Sequence, residues 1–68
     1  MNFGKSLKMA MASKEVSNIT LAKDLGVNKT WVSTMRGMKH ISSETIEKVA
    51  IYFEMKPSEF IKLGESDG

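Results

Sequence analysis

The stretch "TLAKDLGVNKTWVSTMRG", residues 20–37, places Gly26 four positions after Ala22 and Val32 six positions after Gly26. Those intervals suit two short helices that cross steeply through a tight turn. Such a crossing needs a small residue where the backbones approach, a residue that accepts positive φ in the turn, and apolar anchors from both helices. Ala22, Gly26 and the set Leu21, Leu25, Val27, Val32 and Met35 supply the three. With Val32 and Met35 turned inward, Lys29, Thr30, Ser33 and Thr34 lie away from the core and are left to touch something else.

Working outward, the apolar period is helical almost throughout, and five short helices fit. The first, about 3–13, carries Phe3, Leu7, Ala10 and Met11 along one face, and a turn follows at Val16. Ser17 is the expected N-cap of the second, which runs to Leu25 and is ended by Gly26. Asn28 caps the third, about 29–36, and Gly37 stops it. In "SSETIEKVAIYFE", Ser42 or Ser43 caps a fourth helix whose Ile46, Val49, Ala50 and Phe53 recur at i, i+3, i+4 and i+7. Pro57 opens the fifth, which packs Phe60 and Ile61 and ends near Gly64. Residues 1–64 are thus expected to be one domain, and 65–68 a disordered tail.

The chain has 68 residues, 41% of them apolar and 26% charged, and no cysteine. A core this small must hold by packing, without disulfides or thiolate-bound metal. No apolar run is long enough for a membrane span, since Lys5 and Lys8 interrupt the first helix, so a cytoplasmic protein is expected. The net charge is only +2, but the signs are segregated. Residues 1–40 carry Lys5, Lys8, Lys14, Lys23, Lys29, Arg36 and Lys39 against Glu15 and Asp24, whereas the acids predominate after residue 41. A polyanion would meet the first part.

The helix pair around Gly26 is a helix-turn-helix, and with its flanks it resembles a known family. Residues 3–64 are similar to the Cro/cI-like, or XRE-like, helix-turn-helix domains of phage repressors and small bacterial regulators, most of all to a stand-alone Cro-type protein. The residues carrying the resemblance are "FGKSLK", "SNITLAKDLGVNKTWVSTMRG", "ETIEKVAIYF" and "KPSEFI". It implies an all-α, lambda-repressor-like domain of five helices that binds operator DNA as a two-fold dimer, with the third helix in the major groove. By position, Lys29, Thr30 and Thr34 match the base-facing sites, with Ser33 beside them. Ser17, Asn18 and Asn28, at the starts of the second and third helices, fall near phosphates, as do Arg36 and, in the following loop, Lys39 and His40.

The side-chain chemistry suits those roles. Lysine can donate to guanine O6 and N7, and threonine can hydrogen-bond a base or lay its methyl on a thymine. Free N–H groups at the two helix starts can take phosphates. The sequence also departs from the family. Met11 stands where many relatives carry arginine and Arg36 where many carry an acid, so the ion pair joining those positions is not expected. Trp31 replaces a small residue; it is read either as a contact to sugar–phosphate or a thymine methyl, or as packed over the fourth helix or the turn.

The plainer readings stand beside these. Lys29, Arg36 and Lys39 would, without the motif, be a solvated face. His40, the only histidine, has no cysteine partner for a metal site, and no nucleophile–base pair or glycine-rich phosphate loop is visible, so no cofactor, small-molecule substrate or catalysis is expected. The partner expected is double-stranded operator DNA. Dimer contacts would come from Met55, Pro57, Phe60 and Leu63, a small patch giving a weak homodimer that DNA completes. Two alternatives share the fold: an antitoxin or restriction-modification controller, and an antirepressor that binds protein in place of DNA.

Overall fold

Short-range capping bonds divide the chain into its helices. The structure, a computed structural model, describes residues 2–65. It contains α1 (Phe3–Ser13), α2 (Asn18–Leu25), α3 (Lys29–Arg36), α4 (Ser43–Tyr52) and α5 (Pro57–Glu65). The side chains of Asn2, Ser17, Asn28 and Ser42 accept from the amides of Lys5, Thr20, Trp31 and Thr45 at 3.1, 3.2, 2.8 and 3.3 Å. At α5, Glu59 accepts instead from the amide of Lys56 at 3.1 Å. Each bond satisfies a backbone donor that the first turn of a helix leaves over, worth about 1 kcal/mol.

Three helices end in the same way. At α2, Gly26 adopts φ 73°, its amide bonds the carbonyl of Lys23, and that of Val27 bonds the carbonyl of Ala22. The same pair of bonds closes α1 around Glu15, at φ 54°, and α4 around Glu54, at φ 58°. All are left-handed C-caps of the Schellman kind, two of them built on a residue with a side chain.

The core gathers Phe3, Leu7, Leu21, Val32, Met35, Val49, Phe53 and Phe60, each essentially sealed from solvent. Helix α1 packs against α5 and α3, α2 against α3, and α4 against α5. Phe60 corrects one expectation. Its ring centroid lies 5.7 Å from that of Phe3 and 6.4 Å from that of Phe53, so it is a core residue with no surface to offer a second copy. The fifth helix ends at Glu65, beside Gly64 as expected, and Gly64 has a packing duty as well: a Cβ there would overlap the Ser6 hydroxyl and the Asn2 carbonyl. Gly64 thus serves the close approach of α5 to α1. Ser6, buried in that contact, donates to the carbonyl of Ile61 at 3.3 Å. Of the tail expected at 65–68, Glu65 is thus helical, and 66–68 lie outside the described residues.

Candidate nucleic-acid interface

Helix α3 is divided lengthwise. Val32 and Met35 are buried, while Lys29, Thr30, Ser33 and Thr34 are all exposed, as the period of the sequence requires. The Thr34 hydroxyl donates back to the carbonyl of Thr30 at 3.0 Å, which commits its hydrogen and leaves the methyl and the oxygen lone pairs for other contacts. Lys29 and Thr30 occupy the first turn, directly after the Asn28 cap.

The start of α2 is tied to this face. Asn18 donates from Nδ2 to Ser33 Oγ at 3.3 Å and accepts at Oδ1 from Arg36 Nη1 at 3.0 Å. Three residues that the sequence assigned separately, Asn18, Ser33 and Arg36, therefore form one hydrogen-bonded group. Arg36 is half-buried, and its Nε is enclosed without a hydrogen-bond partner. An open depression of about 480 Å³, lined in part by Lys8, Ser17, Asn18 and Arg36, lies at the α2 N-terminus.

The loop after α3 is held from the opposite side by α1. The amides of Phe3 and Gly4 donate to the carbonyls of Lys39 and Met38 at 3.1 and 2.6 Å, so the orphan donors of one helix fix the loop that carries exposed Lys39 and His40. A second depression, of about 300 Å³, is lined by Asn2, Lys5, Lys8, Arg36, Gly37 and Lys39. Lys5 and Lys8, notable in the sequence only for their charge, join the basic surface here. Their i, i+3 spacing on α1 was the available signal, but which side of α1 meets the loop is set by tertiary packing.

Trp31 is 40% exposed, and it borders a small cavity of about 100 Å³ with Leu25, Val27, Met35, Thr45, Lys48 and Val49. The indole thus reaches toward the turn and α4 while keeping an open edge. Away from this face, the residues expected to pair two copies are dispersed in accessibility: Pro57 is exposed, Met55 and Leu63 are half-buried, and Phe60 is sealed. Ile51, on α4, is 65% exposed. On the flank, the Tyr52 hydroxyl donates to Asp24 Oδ2 at 2.6 Å, linking α4 to α2. That hydrogen bond, then desolvation and the carboxylate charge, raise the phenol above its ordinary value of 10.0.

Among the described residues no cluster of three or more His, Cys, Asp or Glu could hold a metal ion, and no helix is long and apolar enough to cross a membrane. No curated protein matches the sequence. A family model does, over residues 6–65, which takes in all of α2, α3, α4 and α5 and most of α1. The divided third helix, the braced loop after it and the basic surface around it are accordingly those of a nucleic-acid-binding module, and the chain belongs to the Cro/C1-type HTH DNA-binding domain family.

Proposed function

We propose that the protein is a sequence-specific transcriptional regulator, a Cro-like repressor of phage or prophage origin acting in the bacterial cytoplasm, that inserts α3 into the major groove of a palindromic operator. The observation that carries this reading is the exposed row Lys29, Thr30, Ser33 and Thr34 on a helix whose other face is locked into the core. Rigid backing matters because a side chain reads a base edge only from a fixed height and angle. In this reading Lys29 donates to a guanine, Thr30 and Thr34 make short-range base or methyl contacts, and Ser17, Asn18, Asn28, Lys39 and His40 hold phosphates. The open edge of Trp31 touches the backbone. Two copies sit on half-sites about one helical turn apart and block polymerase sterically. Met55, Pro57 and Leu63 are the side chains left to join the copies, and the smallness of that patch favours assembly on the operator.

The test is selection of bound duplexes from a random library, followed by Trp31 fluorescence titration of the winner and of a scrambled duplex at two salt concentrations. A palindromic winner whose preference over scrambled DNA persists at higher salt is the expected result. If nothing is enriched and all binding disappears with salt, the exposed row of α3 does not read sequence, and a protein partner becomes the better account.

A further inference from the structure

Arg36, the last residue of α3, makes its side-chain contact with the start of α2. A guanidinium has donors only, so the Asn18 atom within 3.0 Å of Nη1 must be the carbonyl oxygen. Turning the amide over would set its NH₂ against the guanidinium, donor against donor. The contact therefore fixes which way round the carboxamide sits, with Oδ1 toward Arg36 and Nδ2 toward Ser33. A phosphate only accepts, so an asparagine beside one is useful only when Nδ2 is presented. Of the two Nδ2 hydrogens, Ser33 takes one.

We propose that Arg36 is a positioning residue: it orients the Asn18 carboxamide so that Nδ2 is presented to a DNA phosphate at the start of α2. The inference rests on the DNA-binding reading above and deepens it. One further feature favours it over direct contact alone: Arg36 is half-buried and spends Nη1 on Asn18.

The experiment is a double-mutant cycle in operator affinity with Arg36→Met, Asn18→Ala and the pair, each checked for an unchanged amide fingerprint by NMR. Acting through Asn18, Arg36→Met weakens binding roughly tenfold, Asn18→Ala does about the same, and the double variant is no more than about twofold weaker than Asn18→Ala alone. Fully additive losses, with a further drop of about one in the salt slope, would mean that Arg36 contacts a phosphate independently, and would overturn the proposal. A readout free of both DNA and substitution is the ¹⁵N relaxation of the Asn18 side-chain NH₂ in the wild-type protein. An order parameter well above about 0.6 is expected, and a freely moving amide would overturn the proposal even if the variants failed to fold. Should the wild type show no DNA affinity at any salt, the regulator reading falls and the phosphate role of Asn18 with it, whereas additive losses in a protein that does bind remove only the positioning role.

Discussion

The backbone amide of Gly4 donates to the carbonyl of Met38 across 2.6 Å, and a Cβ at Gly4 would overlap the carbonyl of Arg36. The first helix thus grips the end of the third through a contact that only glycine permits. Gly4→Ala should force the α1 N-terminus away from the loop, costing about 2–3 kcal/mol, toward the upper end for overpacking because the opposing atoms are backbone. Denaturant unfolding measures the loss. Because the displaced loop carries Lys39 and His40, operator affinity should fall even at temperatures where the variant remains folded. Unchanged stability would mean that α1 does not approach α3 so closely.

On the exposed face, specificity and anchoring should separate. Lys29→Ala should cost about 1–3 kcal/mol on the preferred duplex and relax preference at one base pair per half-site. Lys39→Ala should weaken preferred and scrambled duplexes alike and lower the salt slope by about one. Titrations of both variants against both duplexes check this; equal losses on the two duplexes for Lys29→Ala would remove it as a base reader.

The bond from Tyr52 to Asp24 makes stability depend on pH at the alkaline end. A phenol whose folded pKa is raised binds its proton more tightly in the native state than in the unfolded chain. Its contribution is therefore complete below the ordinary value of 10.0 and is lost as pH rises through the higher native value. Tyr52→Phe should remove this part of the alkaline decline and cost less than about 1 kcal/mol at neutral pH, because solvent screens the exposed hydrogen bond. Urea titrations of the two proteins between neutral pH and pH 11 provide the comparison, and parallel curves would show that the bond does not form in solution.

What the sequence revealed and what it concealed divide along the range of the interactions. Ser17, Asn28 and Gly26 act within three or four residues of themselves, so the bounds of α2 and α3 could be read directly. The exposed row of α3 follows from Val32 and Met35 alone. Phe60, by contrast, has the same apolar character whether it faces a second copy or its own core, and only the angle of α5 against α1 and α4 puts it between Phe3 and Phe53. Gly64 looks like a helix stop because glycine often is one; its packing duty depends on Ser6, which is distant in sequence. The bonds of Asn18 to Ser33 and Arg36 join helices at a crossing whose depth no local pattern specifies. Glu15 and Glu54 hide two left-handed caps because glutamate carries no turn signal.

Those caps make a paired prediction of opposite sign. At Gly26, φ is 73° and nothing lies within 4 Å of where a Cβ would be, so the cost of Gly26→Ala is backbone conformation alone, about 1 kcal/mol. Glu54 holds the same left-handed conformation, at φ 58°, with a side chain already present. Replacing it by glycine removes that strain, but it also frees the unfolded chain, which offsets part of the gain. Glu54→Gly should therefore stabilise by a few tenths of a kcal/mol, up to about 1. Melting both variants in one buffer tests the pair: the midpoint should fall for Gly26→Ala and rise for Glu54→Gly. A fall in both would mean that the Glu54 side chain contributes more to the α4 terminus than its backbone conformation costs.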